Sequence, residues 1–208
     1  MKKGKLLVAL VMMMAMLITG CGKEEKIETN NNSLLGKWSG TLDYTETFTN
    51  LMTAENAEIE KFLKFDNLTF SFVFEFSEEE LAMHVDKASA AKFVSNAEVG
   101  IANMIDAMVA EEAAKNNITA DDIFTGMETT RDAYIADTLK SMNLEVMVNT
   151  LAEALELQGA YEADENTIVV VYDDKTYESM EYTLNGEELI ICISDGTNEL
   201  PIKCTKTE

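Results

Sequence analysis

Residues 68–76 read Leu68-Thr69-Phe70-Ser71-Phe72-Val73-Phe74-Glu75-Phe76. Leucine and four phenylalanines take every second position, and Thr69, Ser71, Val73 and Glu75 take the others. Side chains of an extended chain alternate between two faces, so this spacing predicts a strand with one buried, aromatic face. Upstream, Trp38, Gly40, Leu42, Tyr44 and Phe48 share one parity, opposite Lys37, Ser39, Thr41, Asp43, Thr45 and Thr47, and only Glu46 interrupts the apolar side. That parity carries a first strand as far as Phe48. Residues 50–66 become a long connection, and Ile59, Phe62 and Leu63 predict a short helix within residues 53–65. Downstream, a turn at residues 77–80 leads to Leu81, Met83 and Val85 on one face of a third strand.

The period then changes. Phe93, Val94, Ala97, Ile101, Met104, Ile105, Met108 and Val109 follow a 3.6-residue repeat, which predicts an amphipathic helix ended by Asn116-Asn117. Thr119 with Asp122 predicts a capping box, with Ile118 and Ile123 as its hydrophobic staple and Gly126 as the breaker. A third helical stretch is predicted over residues 128–158, with Ile135, Leu139, Met142, Val146, Leu151 and Leu155 inward and Gly159 as its stop. After Gly159 the period returns to two. Strands are predicted at residues 160–163, 167–172, 177–184, 187–193 and 200–205. Asn185-Gly186 between two alternating runs is a strong hairpin signal, and a turn there pairs Tyr182 with Leu189 and Met180 with Ile191.

Trp38, Leu42, Phe70, Phe72, Phe74, Tyr182, Leu189 and Ile191 are therefore expected inside, and Lys37, Asp43, Glu75 and His84 outside. The same parity turns Cys192 away from the core and Cys204 into it, too badly aimed for a disulfide unless a bulge reverses one strand. His84, the one histidine, has no nucleophile context around it. One histidine and scattered cysteines do not make a zinc set. Residues 121–132 have the length of a calcium loop with Gly126 at its sixth position, but Ile123 and Thr125 stand where carboxylates or amides belong and Asp132 replaces the bidentate glutamate, so the stretch reads as a capped helix start. No catalytic residue, metal or cofactor is assigned.

The N-terminus carries Lys2, Lys3 and Lys5, then an apolar run from Leu6 to Ile18, then Thr19, Gly20 and Cys21. That run is short for a membrane span and has the plan of a secretory leader. Ile18-Thr19-Gly20-Cys21 resembles the bacterial lipobox. The resemblance implies lipid attachment at Cys21, cleavage before it, and a domain held to the extracytoplasmic face of the cell membrane by that lipid. Residues 22–33 are polar and aperiodic, and read as a flexible tether. The formal net charge of -22 opposes phosphate backbones and anionic headgroups, which excludes nucleic acid as a partner.

Gly36-Lys37-Trp38 resembles the Gly-x-Trp motif near the first strand of lipocalin-like barrels. With the strand count, it implies an α+β fold: an antiparallel eight-stranded lipocalin-like barrel or meander with a helical insertion between strands 3 and 4. The expected divisions are a signal peptide (1–20), a tether (21–33), the barrel (34–87 and 159–208) and the insertion (88–158). A typical lipocalin places its main helix after the barrel, so the insertion departs from that family. The whole arrangement is similar to uncharacterised surface lipoproteins of Gram-positive anaerobes. Besides an enzyme, for which the sequence offers no recognisable catalytic set, two functions are open at this point. One is a non-catalytic binding module for an apolar small molecule, with Trp38, Leu42, Phe70, Phe72, Phe74 and Tyr182 facing the ligand. The other is a structural or protein-interaction lipoprotein that uses its inserted helices as contact surface around a filled barrel.

Overall fold

The computed structural model describes residues 33–54, 56–194 and 199–207. The expected leader, Cys21 and the expected tether as far as residue 32 lie outside the described residues. Eight described strands close into an antiparallel barrel in sequence order. They are β1 (Gly36–Asp43), β2 (Thr69–Phe76), β3 (Glu80–Val85), β4 (Leu157–Ala163), β5 (Thr167–Val171), β6 (Tyr177–Asn185), β7 (Glu188–Ser194) and β8 (Glu199–Lys206). Closure is made where Trp38 of β1 faces Lys206 of β8 and Gly40 faces Cys204. The Thr207 N–H adds a bond to the Lys37 carbonyl at 2.8 Å. The helices α2 (Lys87–Asn116), α3 (Ala120–Gly126), α4 (Arg131–Met142) and α5 (Leu144–Ala154) are inserted between β3 and β4.

Burial alternates along the strands, most cleanly in β2, where Phe70, Phe72, Phe74 and Phe76 are buried and their neighbours half-buried. All eight residues expected inside are buried. Of the four expected outside, Asp43 is exposed and Lys37, Glu75 and His84 are half-exposed. These last three lie across neighbouring strands, Glu75 Oε1 standing 3.2 Å from Lys37 Nζ and 3.5 Å from His84 Nε2. Hydrogen bonds from these two neighbours, Lys37 first and then His84, hold the Glu75 carboxyl below its usual range.

Four readings of the sequence are corrected. First, β1 ends at Asp43, and α1 (Thr45–Thr53) follows where parity carried the strand on to Phe48. Asp43 Oδ1 accepts the Thr45 N–H at 2.9 Å. The Thr49 and Thr53 hydroxyls donate back to the carbonyls of Thr45 and Thr49, so threonines that read as strand formers are accommodated in a helix. Phe48 is buried, but from that helix. Second, the short helix expected within residues 53–65 is a 3-10 turn, Ala57–Phe62, opened by the Asn56 side chain accepting the Glu58 N–H.

Third, the single helix expected over residues 128–158 is two. Asn143 sits in the left-handed region at φ 52° and ends α4. The break resets the helical phase, so Val146 is 52% exposed and Leu144 and Val148 are buried in its place. Strand β4 has begun by Leu157, which faces Met83. Gly159 is therefore a strand residue, needed because a Cβ there would lie 2.5 Å from the Val171 carbonyl oxygen. Fourth, the β6–β7 pairing is Tyr182 with Ile191 and Leu184 with Leu189, two residues from the expected register. The loop is Gly186-Glu187, with glycine at φ 65° in the first position, as a type II′ turn requires. A slip of two keeps every side chain on its face, so burial could not distinguish the two registers.

The expected capping box is present: Thr119 accepts the Asp122 N–H, and Asp122 accepts the Thr119 N–H at 2.9 Å. Its proposed staple residue Ile118 is 46% exposed.

Candidate functional site

Two regions are candidates, the barrel interior and the helical segments, which fall into separate contact units. Within the barrel unit, Trp38 is buried with its Nε1–H donating to the Leu34 carbonyl at 2.7 Å. Leu42, Phe72, Phe74 and Tyr182 are also buried, and the Phe72 and Phe74 rings lie 6.3 Å apart. Each polar tip that enters the barrel meets a backbone partner. Tyr161 donates to the Ser77 carbonyl and Tyr182 to the Asp164 carbonyl, and burial raises both phenols above their usual range. The packing is tight at Gly40, where a Cβ would stand 2.5 Å from Ile202 Cγ2 and 2.6 Å from Cys204 Sγ. An eight-stranded barrel is just wide enough for side chains to fill it, and here large apolar residues point inward from strand after strand.

Phe70, expected in the same set, belongs with the helical segments. Its ring stacks on Phe93 of α2 at 4.7 Å, and Tyr44 meets its edge at 6.0 Å. Phe48 packs edge-on against both Phe93 and Phe65. The connection between β1 and β2 thus shares an aromatic cluster with α2.

Cys192 and Cys204 are both thiols. Cys192 faces Pro201 in the register, and Cys204 faces Leu189. Cys204 is fully buried, and burial pushes its pKa up to about 12. Among the described residues no cluster of histidine, cysteine or carboxylate is placed to hold a metal ion. No described helix is long and apolar enough to cross a membrane. The stretch with calcium-loop length is occupied by α3 and its cap.

Within the helical unit the 3-10 turn and the C-terminal half of α2 border an open groove of about 930 Å³. Ile59, Phe62 and Met108 give it apolar surface, and Glu58, Glu60, Glu111, Glu112, Lys61 and Lys115 give it charge. Lys61 Nζ reaches both Glu111 carboxylate oxygens, at 2.8 and 2.7 Å, and stands 4.5 Å from the Phe62 ring centre. Lys115 Nζ meets Glu111 Oε1 at 2.6 Å. The two lysines hold the Glu111 carboxyl below its usual range, Lys115 first. The sequence contains one hint of this site, the helical spacing of Ile59 and Phe62. It cannot pair them with Met108 and Glu111, some fifty positions away.

Comparison with protein-family models, curated proteins and solved structures gave no match.

Proposed function

We propose that this protein is a non-catalytic binding module, lipid-anchored through Cys21 on the outer face of a membrane, that meets a protein partner through its helical segments. One observation carries this reading over an apolar ligand in the barrel. Of the eight large apolar side chains exposed among the described residues, six (Val99, Met108, Ile118, Met127, Tyr134 and Val146) come from the inserted segment and two, Val171 and Tyr177, from β5 and β6, whereas the inward positions of the barrel are occupied by its own residues. Exposed apolar groups concentrated on one part of a protein mark contact surfaces. Methionines among them suit adaptable contacts. The Gly36-Lys37-Trp38 start and the closed antiparallel barrel support kinship with lipocalin-like proteins, here with a filled interior.

Two experiments test the reading. Cys21→Ser is expected to leave the chain unprocessed or shed from the membrane fraction; a Cys21→Ser protein still lipidated and membrane-bound would sink the anchor. Photo-crosslinking residues placed at Val99 and Val146 on intact host cells are expected to give a discrete protein adduct, and one placed at Thr183 on β6 is not. Adducts from Thr183 alone, or an apolar molecule retained by the purified domain in native mass spectrometry, would overturn the helical contact surface.

A further inference from the structure

We propose that the groove between the 3-10 turn and α2 is a docking site for a basic, amphipathic peptide segment of a partner protein. The inference rests on the reading of the helical segments as contact surface, and names the place and the chemistry of the contact. Three features of the groove point to that occupant.

The first is charge. Four glutamates (Glu58, Glu60, Glu111, Glu112) line the groove against two lysines (Lys61, Lys115). Both lysines converge on Glu111. Lys115 attracts Glu112 and Glu58 only at longer range, and Glu112 Oε1 accepts an Asn116 Nδ2–H at 2.7 Å, so both lysines keep their close ion pairs for Glu111. The whole chain, at -22, steers cations toward it and anions away.

The second is the apolar lining. Ile59 and Phe62 are half-buried and Met108 is 37% exposed. They offer a place for one or two apolar side chains beside the carboxylates. That pairing of an apolar strip with flanking acids suits an amphipathic segment with a basic face.

The third is the chain's own lysine. Lys61 already occupies the position an incoming cation would take, over the Phe62 ring and against both oxygens of Glu111. That ion pair is exposed, its side chains 58% and 32% accessible, and exposed pairs contribute little. An arginine of the partner presents a planar fork that fits the carboxylate in two bonds and stacks on aromatic faces. It displaces Lys61 at small cost and gains what Lys61 gives up.

The test uses the mature chain and a labelled synthetic peptide with leucines and arginines at helical spacing, followed by fluorescence anisotropy. The matched peptide with glutamate for each arginine is the comparison. The arginine peptide is expected to bind and the glutamate peptide is not. Glu58→Lys with Glu112→Lys, and separately Met108→Gln, are each expected to weaken binding about tenfold. Reversing two barrel acids, Glu162→Lys with Glu181→Lys, is expected to change it less than about twofold, because their contribution is only the screened long-range field. Circular dichroism of each variant checks that the helices persist.

Equal weakening by the barrel pair would reduce the effect to general attraction by an acidic chain and overturn the site. So would a Met108→Gln variant that binds as before. If the groove variants instead convert a dimer to a monomer in sedimentation, the occupant is a second copy and the peptide proposal falls. Crosslinks that persist at Val99 and Val146 while the peptide ignores the groove variants overturn the groove alone. Absence of those crosslinks in the unsubstituted chain overturns the contact-surface reading itself.

Discussion

Phe72 is fully buried between Phe74 on its own strand and Val85 across the ladder. Removing its ring leaves a cavity that surrounding strands, fixed by barrel closure, are poorly able to fill. Phe72→Ala is expected to cost about 3–5 kcal/mol in denaturant unfolding; a cost near zero would mean that the ring lines open space. Cys204 gives a second reading of the same core. Its thiol is held neutral by burial, with its pKa raised from 9.0 to about 12. The unfolded chain loses this proton first, so the contribution to stability is full below about pH 9 and falls away as pH rises toward about 12. Iodoacetamide is expected to spare Cys204 in the native protein at pH 8 and to label it in denaturant, as peptide mass mapping would show. Native labelling of Cys204 would contradict a filled barrel. Parity along the sequence was sufficient to put this thiol inside, because strands alternate strictly and no bulge intervenes between Leu200 and Cys204.

At the scale of elements, the decisive residue is Asn143. A left-handed backbone at this position ends α4 and lets α5 start at once in a new phase. Asn143→Gly is expected to be neutral or slightly stabilising, and Asn143→Ala to cost about 1 kcal/mol, because a methyl group is disfavoured at positive φ and glycine is not. Equal thermal midpoints for the two variants would remove the argument. The sequence marks such a stop weakly. Single asparagines also sit inside helices, as Asn96 and Asn103 do in α2, and apolar residues continue on both sides of Asn143. The first helix, α1, was hidden for a related reason. Thr45, Thr47 and Thr49 alternate with other residues as in a strand, and only the Asp43 carboxylate and the threonine back-bonds show that the chain has turned. The Thr119–Asp122 box, by contrast, was visible because capping is a matter of neighbours three residues apart.

For the whole molecule, contacts divide the chain into a barrel unit and a helical unit, and the second takes in residues 43–70 as well as 87–149. Phe48 and Phe70 of the first segment pack on Phe93 of the second, and Phe65 packs on Phe48 and against Gly100 of α2. Replacing residues 88–156 with a Gly/Ser linker is therefore expected to strand three aromatic rings, giving a protein that binds a hydrophobic dye and melts earlier. Shortening residues 44–67 as well, with Phe70→Thr, is expected to restore a dye-free barrel in which Cys204 stays protected. A single excision that is stable and dye-free would show that the two segments share no core.

The sequence by itself determined the strands, their faces and the insertion of helices between β3 and β4, because each follows from the repeat of apolar residues along a short stretch. Only the tertiary structure decided the rest. Barrel closure depends on β1 meeting β8, a contact between the two ends of the domain. The register of the β6–β7 hairpin turns on a slip of two that leaves burial unchanged. The groove joins Ile59 and Phe62 to Met108 and Glu111 across a separation over which no local periodicity carries information.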